Sequence, residues 1–514
     1  MSKIFIHSIN HINNISKVIT FGIVIFYTLQ TFSSNYYEIL FIDERILIDD
    51  IYNVWLLDDV FNRFGNISNE NLKNVMILVT EASYGGDLRY GRLWSNFFTL
   101  IVGPFTILGD SAVITFTRII NSLLFFFGNY LLAKALLNKD RIWIGLLIIY
   151  SLPAVEYLHR VPKPDTFLLI FVALGIIKFK NKKYYLSIFY LSIATFIKIN
   201  TVLILAVISI YVFIITTENK LKFCGKAFLV VFSGLILVNP ILLIPPITFG
   251  GISTPNFYKI YLNWLTTQGT HGGQIAARAD NVVAWLNTLG EFYLVQEYAS
   301  PITLLLLSVL IFITFKSALL SKDTISVLLF ITSFIYIIFY FLLIERQFIQ
   351  YISLPFSLII FSSLRTISLP KTVRHLSVTL FLTVVVSIGI YSNVERHLAE
   401  KTFNANSRYG YENIYTEKDA IDLVNKVVDK ISILYANNEN LKKGIVAWHP
   451  DLFIPRNKVT YQKSFQVREY WGSKDSPIEA LEDYDVFVTY TNYQVDSYIE
   501  KIQIENIYIF YKTD

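Results

Sequence analysis

The sequence predicts an all-α polytopic membrane protein with a small α/β domain at its C-terminal end. Of the 514 residues, 54% are hydrophobic and only 16% are charged, whereas soluble domains carry about 25% charged residues. Apolar runs of the length needed to cross a bilayer recur through residues 1–391. Residues 392–514 instead have the mixed composition of a soluble domain. A transmembrane domain over 1–391 and a soluble domain over 392–514 follow from this division.

The first apolar run, residues 16–31, predicts an uncleaved signal anchor. No small-residue cleavage site follows it, and further apolar runs come after it. Lys3 lies before the run and Lys17 at its start, and the cytoplasmic flanks of spans carry an excess of basic residues. The N-terminus is therefore predicted to be cytoplasmic, in a cell (inner) membrane, and residues 37–110 to form a first outer loop.

Further apolar runs predict the remaining spans, which brings the total to about 11 transmembrane helices. These runs are residues 113–137, 143–158, 166–179, 184–197, 202–216, 228–247, 302–315, 325–344, 349–364 and 376–390. A shorter run, 97–108, is interrupted by Gly103-Pro104 and predicts a re-entrant or interfacial segment.

Charge decides how residues 184–217 are divided, since they could form one long span or two short ones. Lysine clusters precede and follow the stretch, and an even number of passes must separate two cytoplasmic clusters. Two spans are therefore predicted, with the turn near residues 198–200. The same count places the C-terminal domain and a second outer loop, 248–301, outside. It places these basic connections inside: 139–141, 178–183, 220–226, 316–322 and 365–374.

The C-terminal domain has the pattern of a small α/β fold. An amphipathic repeat over 417–435 predicts a helix. Four short apolar segments predict strands: 444–448, 458–462, 485–490 and 507–511.

Composition also excludes several classes of function. The net charge of +5 is spread over short clusters between apolar runs, so it orients the chain and predicts no nucleic-acid partner. The single cysteine, Cys224, excludes an internal disulfide and a cysteine-based metal site.

Acidic residues of the first outer loop are the candidates for catalysis. Asp43 and Glu44 follow the first span, and Asp87 lies later in the loop, near Tyr84 and Arg89. A carboxylate just outside a span lies at the depth of lipid phosphates. There it can accept the proton of a hydroxyl that attacks a phosphate-linked sugar. The alternative is that these acids only solvate an interfacial helix and a flexible turn.

Basic residues near the predicted outer surface are the candidates for binding a lipid phosphate. They are Arg89, Arg160, Lys163, Lys198 and Arg346. A departing polyprenyl phosphate gains negative charge that fixed cations stabilise. Ionisable residues at membrane depth cost free energy, and their presence there therefore indicates a function. Two alternatives stay open. Lys198 can snorkel to the headgroups, and Pro164 and Asp165 can simply start and cap a helix.

His271 stands in a glycine-rich outer segment, 269–273. A histidine there can contact phosphate or a metal ion, so a divalent metal cofactor stays open. A structural role for His271 is the alternative. In the C-terminal domain, residues 448–451 and 468–472 are candidates for contacts with an acceptor, and core packing would account for their aromatic residues equally well.

Taken in order, these motifs resemble those of the GT-C glycosyltransferases, a superfamily that includes protein O-mannosyltransferases and aminoarabinose transferases. The resemblance covers about residues 16–365 and extends to the C-terminal domain only in position. The matching segments are Asp43-Glu44, 87–92, Gly109-Asp110-Ser111 with Thr117-Arg118, Pro164-Asp165, 194–198, and Glu345-Arg346 with Tyr351 and Pro355. Many members carry a His-Pro-Pro or Lys-Pro-Pro element before the second span, where this chain has Tyr90-Gly91-Arg92.

The resemblance implies an integral-membrane glycosyltransferase with a polyprenyl-phosphate sugar as donor. It implies transfer with inversion to an extracytoplasmic glycan, lipid or protein acceptor. Asp43 would be the base, supported by Glu44 or Asp87, and Lys198 and Arg346 would face the lipid phosphate.

Three other functions compete with this one. An O-antigen-type polymerase or ligase has a similar number of spans and relies on a late outer loop, for which Arg278 and His271 are the matching residues. A transporter or flippase would carry acids or broken helices near mid-membrane, in matched halves. The acids here lie in outer loops, and the chain shows no internal repeat. A receptor or assembly factor built around the outer domain would leave Asp43 dispensable.

Overall fold

The computed structural model describes a little over half of the chain, in two compact units. The described residues are 2–29, 47–48, 51, 91–152, 155–160, 162–243, 248–249, 252–253, 256, 258–259, 261–262, 323–343, 349–366, 402–404, 414–438, 441, 444–447, 465–467, 485–489, 494, 499–505 and 507–512. One unit, here the helical unit, comprises Met1–Phe32, Asp50–Gly103 and Thr117–Arg396. The other, here the C-terminal unit, comprises Ser33–Asp49, Pro104–Phe116 and His397–Asp514.

Helices account for most of the described residues before 367. They are α1 Ser2–Leu29, α2 Arg92–Val102, α3 Asp110–Leu136, α4 Ile142–Tyr150, α5 Val155–Arg160, α6 Pro164–Lys180, α7 Tyr184–Ile197, α8 Val202–Ile215, α9 Lys220–Val238, α10 Thr324–Leu343 and α11 Ile349–Thr366. A two-stranded ladder joins β1 Thr248–Phe249 to β2 Ile252–Ser253.

Three described helical stretches are long and apolar enough to cross a membrane: Ile12–Leu29, Ala112–Leu136 and Lys220–Val238. The outward face of α9 carries exposed apolar side chains, among them Leu221 and Phe228. A soluble protein rarely exposes such a continuous apolar surface, whereas a lipid-facing helix requires one. The prediction of a helical membrane protein is confirmed at this level.

The predicted division of residues 184–217 into two helices is confirmed. The chain leaves α7 through Lys198, whose backbone is extended (φ −152°, ψ 120°), and a short 3-10 turn, Ile199–Thr201, leads into α8. Tyr211, late in α8, returns to Phe179 at the end of α6, with ring centroids 5.7 Å apart. Just after α8, Glu218 accepts a hydrogen bond from the Tyr185 hydroxyl at the start of α7. The two helices therefore form an antiparallel hairpin.

Two other interruptions shape the helical unit. The predicted break near Gly103 is confirmed, because α2 ends at Val102 and a 3-10 segment, Gly103–Leu108, follows. The run 143–158, predicted as one span, is instead two helices, α4 and α5. Pro153 follows α4 in the sequence, and the missing N–H and the ring of a proline are incompatible with a continuous helix.

One end of the helical unit, here the basic end, is held by cations that cap the C-termini of helices. Arg365 pairs with Asp323 and donates to the carbonyl oxygen of Leu136 at 3.3 Å. Arg141 in turn donates to the carbonyl oxygen of Leu364. The C-terminus of α3 is thus capped by Arg365 of α11, and the last turn of α11 is capped by Arg141, which follows α3. Cations at these positions also complement the helix dipoles.

Other helices meet at the same basic end. Lys180, in the last turn of α6, donates to the carbonyl oxygen of Ala135 at 2.5 Å. Near the start of α4, the Trp143 N–H donates to the Asn13 side chain of α1 at 3.1 Å. The opposite ends of α1, α6, α7 and α9 meet at the other side of the unit, here the polar end. Helices α6, α7, α8 and α9 therefore run in alternating directions between the two ends.

The C-terminal unit contains helix α12, Glu417–Asn437, and two sheets. Strands β3 Thr402–Asn404 and β4 Ile414–Thr416 form an antiparallel ladder. A five-stranded sheet has the order β6-β5-β7-β9-β8, built from β5 Gly444–Ala447, β6 Phe465–Val467, β7 Val486–Thr489, β8 Ile499–Ile504 and β9 Ile507–Lys512. Strands β6, β5 and β7 are parallel, whereas β9 is antiparallel to both of its neighbours.

The predicted α12, β5, β7 and β9 are confirmed. The predicted strand 458–462 lies outside the described residues. Strands β6 and β8 were not predicted, since β6 has only three residues and β8 interleaves Glu500, Lys501 and Gln503 with its apolar positions. Across the β8–β9 ladder, the Tyr511 hydroxyl donates to Glu500. Burial, together with this bond, raises the pKa of Tyr511 to about 12.

Replacement of Arg365 by Met should lower the stability of the helical unit by about 1–3 kcal/mol, because it leaves Asp323 and the Leu136 carbonyl without their cationic donor. The measurement is thermal unfolding of the purified chain in detergent, followed by tryptophan fluorescence. Lys134→Met is the matched control, since Lys134 is exposed in the last turn of α3. Equal unfolding temperatures for Arg365→Met and Lys134→Met would contradict the capping role.

Candidate functional site

A buried ion pair joins two helix ends at the polar end. Lys198 Nζ lies 2.5 Å from Asp165 Oδ2, and the two side chains are only 6% and 10% exposed. Lys198 follows the last residue of α7, and Asp165 lies in the first turn of α6. Lys198 is therefore held inside the helical unit by a carboxylate, and does not extend outward as a snorkelling lysine would.

Local sequence explains why these groups meet. Pro164 is the first residue of α6, where its missing N–H has no cost and its fixed φ favours a helical start. Asp165 then lies at the positive end of the α6 dipole, and Lys198 lies at the negative end of the α7 dipole. The dipole of α6 therefore stabilises the negative charge of Asp165, and the dipole of α7 stabilises the positive charge of Lys198.

Asn121 on α3 fixes the segment that carries these charges. Its Nδ2 donates to the carbonyl oxygens of Leu158 and His159, each at 3.1 Å. Its Oδ1 accepts from Thr166 Oγ1 at 2.7 Å and from the Lys163 N–H at 3.4 Å. The buried side-chain amide of Asn121 therefore joins the end of α5 to the start of α6 and holds both against α3.

His159 links this segment to α1. Its Nε2 lies 3.0 Å from Thr28 Oγ1, near the end of α1, and the His159 side chain is completely buried. Aromatic rings of Tyr27, Phe125 and Tyr150 lie around it, with centroids 5.7–6.2 Å away. This contact ties the end of α1 to the end of α5.

Positive charge exceeds negative charge in the described part of the helical unit's interior. Its buried cations are Arg92, Arg118, Lys163 and Lys198, and its one buried carboxylate is Asp165. Lys163 occupies the N-cap position of α6, and its side chain makes no capping hydrogen bond to that helix. Arg118 lies one turn before Asn121 on α3. Burying a cation costs free energy unless polar or anionic partners compensate it, so the contacts of these four side chains are part of what specifies the packing here.

The start of α2 is built into the same end. Gly91 has a positive φ of 63°, and a Cβ added there would lie 2.3 Å from Val238 Cγ1 and 2.7 Å from the carbonyl oxygen of Phe196. Only glycine fits both this backbone conformation and this contact. The next residue, Arg92, donates its N–H to Asn239 Oδ1 at 3.1 Å. The start of α2 is thus fixed between the ends of α7 and α9.

Two of the predicted site residues are described with their side chains: Lys198 contacts Asp165, and Lys163 is buried two residues before Asp165 in the sequence. The backbone of Arg160 lies in α5, while its side chain lies outside the described residues. The predicted Asp43, Glu44, Asp87, Arg89, His271 and Arg346 also lie outside the described residues. Among the residues that are described, no group of three or more His, Cys, Asp or Glu side chains could hold a metal ion.

Sequence reasoning did not identify Asn121, Thr166 or Asn239. Asn121 and Asn239 interrupt long apolar runs, and polar residues within such runs generally find a partner in the bundle interior. A polar residue within an apolar run was therefore the available signal, although it does not reveal which group the residue will contact.

Comparison of this chain with protein-family models found no match, and comparison with curated proteins found none either.

The ion pair predicts strong coupling between Asp165 and Lys198. Either Asp165→Asn or Lys198→Met alone should destabilise the chain by about 3–5 kcal/mol, because each removes the oppositely charged neighbour of a buried charge. The double variant should lose clearly less than the sum of the two single losses. A double-mutant cycle of thermal unfolding in detergent measures the coupling. Additive losses would show that the two charges act independently.

Proposed function

We propose that this protein is an integral-membrane glycosyltransferase of the GT-C type that uses a polyprenyl-phosphate sugar as donor. The observation that carries the proposal is the buried Lys198–Asp165 pair at the polar end, together with the burial of Arg92, Arg118 and Lys163 in the described part of the helical unit. A phosphate group is the anion that a membrane offers at such a place. In this role the cations hold the donor phosphate and stabilise it as it departs.

The lengths of the helices support a site just below the membrane surface. Helix α6 has 17 residues and α7 has 14, which correspond to about 25 Å and 21 Å at 1.5 Å per residue. The hydrocarbon layer is about 30 Å thick. With the basic end at one surface, the Lys198–Asp165 pair lies a few ångströms short of the other. A lipid phosphate drawn slightly inward would reach it.

The sidedness follows from charge. The basic end carries Lys180, Arg141 and Arg365, and basic residues favour the cytoplasmic side. We therefore propose that the basic end is cytoplasmic and the polar end extracytoplasmic. With about 11 spans, the C-terminal unit lies outside as well, where it can contact an acceptor glycan, lipid or protein.

The proposed reaction divides the work between two groups of residues. A hydroxyl of the acceptor attacks the anomeric carbon of the sugar while the bond from that carbon to the phosphate oxygen breaks. Asp43, with Glu44 or Asp87 in support, takes the hydroxyl proton. The bonding electrons leave with the phosphate, which changes from a diester with one negative charge to a monoester that gains a second. Fixed cations stabilise this added charge most in the transition state.

Asp43→Asn should reduce sugar transfer by about 10²–10⁴-fold, because the base is lost while the shape of the side chain is kept. The measurement is envelope glycan profiling by mass spectrometry in a strain that lacks the native copy, with expression of the variant verified. Loss of one specific sugar should accompany accumulation of its polyprenyl-phosphate donor. Unchanged glycans with folded protein would remove Asp43 as the base.

Lys163→Met and Asp43→Asn should differ in a way that tests the division of roles. Lys163→Met should weaken retention of the polyprenyl-phosphate donor and lower transfer together, whereas Asp43→Asn should lower transfer and leave donor retention unchanged. Accumulation of short lipid-linked oligosaccharides, instead of a monosaccharide donor, would point to the polymerase alternative. Lys134→Met, at the basic end, is the matched control for loss of a lysine charge.

A further inference from the structure

A groove follows one face of α1, from near the basic end toward the middle of the membrane. Its volume is about 600 Å³, within the range of pockets that hold small ligands. Its lining residues recur at the spacing of a single helical face: Asn14, Lys17, Val18, Phe21, Gly22 and Ile25. The two polar residues come first, and apolar residues and a glycine follow. The groove therefore has a polar head and an apolar stem, the pattern that an amphiphilic ligand requires.

The stem of the groove faces away from the rest of the helical unit. Val18 is 72% exposed and Ile25 is 54% exposed, and a Cβ added at Gly22 would meet no atom within 4 Å. Apolar side chains that point outward from a membrane-spanning helix contact lipid. The missing side chain at Gly22 leaves an indentation in this surface, in which an acyl chain can lie.

The head of the groove lies at the depth of lipid headgroups. Lys17 Nζ is 5.5 Å from the centroid of the Trp143 ring, a cation–π distance. The rings of Phe21 and Tyr130 also lie beside Trp143, with centroids 5.1 Å and 5.8 Å away. Tryptophan and tyrosine concentrate where the hydrocarbon layer meets the headgroups, and lysines extend their ammonium groups to the same level. Lys17 is exposed and its ammonium has three N–H groups, so it can bond a phosphate oxygen while it stays beside Trp143.

A second lysine adds positive charge at this head. Asn13 Nδ2 donates to the carbonyl oxygen of Lys139 at 3.4 Å, which brings the turn after α3 beside the first residues of the groove. The Lys139 side chain is exposed. Asp140 in the same turn forms an ion pair with Arg141 at 4.0 Å. Lys17, Lys139 and Arg141 against Asp140 leave a net positive charge here.

We propose that this groove binds one anionic phospholipid of the surrounding bilayer. The lipid phosphate lies at Lys17 and Asn14, near Lys139, and one acyl chain lies over Gly22 toward Ile25. A net negative headgroup is favoured because a zwitterionic one brings its own cation near the two lysines. The site lies at the opposite end of the helical unit from the Lys198–Asp165 pair, and it does not depend on the proposed transferase reaction.

Two substitutions test the two halves of the groove separately. Lys17→Gln removes the charge at the head and keeps a polar side chain. Gly22→Leu fills the stem and leaves the charge unchanged, and the open space beside Gly22 accommodates the larger side chain. The matched controls are on α9, where Lys222 is exposed and a Cβ added at Gly225 also meets no atom within 4 Å. These controls are Lys222→Gln and Gly225→Leu.

The assay uses the full-length chain in nanodiscs that contain equal amounts of phosphatidylglycerol and phosphatidylcholine with the same acyl chains. Native mass spectrometry then counts the lipids that stay bound after the nanodisc is removed. The wild-type chain should retain phosphatidylglycerol in preference to phosphatidylcholine. Lys17→Gln should lower this preference by about fivefold, as expected for one lysine near an anionic headgroup. Gly22→Leu should lower retention of phosphatidylglycerol by about threefold, because the leucine takes the space of the acyl chain.

Three results would overturn the proposal. Equal retention of the two lipids by the wild-type chain would show that lipid only solvates this face of α1. An equal loss of preference in Lys17→Gln and Lys222→Gln would assign the effect to general surface charge. Retention in Gly22→Leu that matches Gly225→Leu and the wild-type chain would exclude the groove as the place of the acyl chain. The transferase proposal is unaffected by any of the three.

Discussion

The polar end of the helical unit depends on the buried contact between Lys198 and Asp165. In an apolar environment an isolated charge is far more costly than a paired one, so the start of α6 and the end of α7 must stay together whenever the chain is folded. The break in the chain after α7 follows from the same constraint. Continuing the helix through residue 198 would carry the lysine away from its carboxylate, whereas the extended backbone at Lys198 and the 3-10 turn after it keep the two in contact.

Around this pair, neutral polar residues fix the remaining elements. Asn121 holds the connection from α5 to α6 against α3, and the contact between His159 and Thr28 holds it against α1. Buried hydrogen bonds of this kind contribute modestly to stability but specify one arrangement. Under the proposed function, the cations would be positioned before the donor phosphate arrives, and such preorganisation makes electrostatic stabilisation of a transition state effective.

Much of the helical unit could be predicted, because hydropathy and charge report directly on helices that lie in a membrane. The lysine clusters on both sides of 184–217 required the break at Lys198, and the structure has it. The break between α4 and α5 was not predicted, although Pro153 signals it, because the apolar content of 143–158 continues across the proline. Strand β8 was missed for the opposite reason, since half of its residues are polar.

The site could be predicted only in part. Lys163 and Lys198 stood out because a charge at membrane depth needs an explanation. Asp165 was considered as a possible helix cap and as part of the matching segment Pro164-Asp165, and its role as the partner of Lys198 depends on a contact across 33 residues of chain. Asn121 and Asn239 were not singled out, since a lone amide in an apolar run does not reveal what it will meet. Packing between helices α3, α5, α6 and α9 decides that.

The order of strands in the C-terminal unit has a consequence for the synthesis of the chain. Strand β9 follows β7 and β8 in the sequence, yet it lies between them in the sheet and pairs with both. Until residues 507–512 have been translated, β7 and β8 each lack this neighbour, and unpaired strand edges readily join other chains. The sheet can therefore close only after β9 has been made, and the edges of β7 and β8 need protection during that interval.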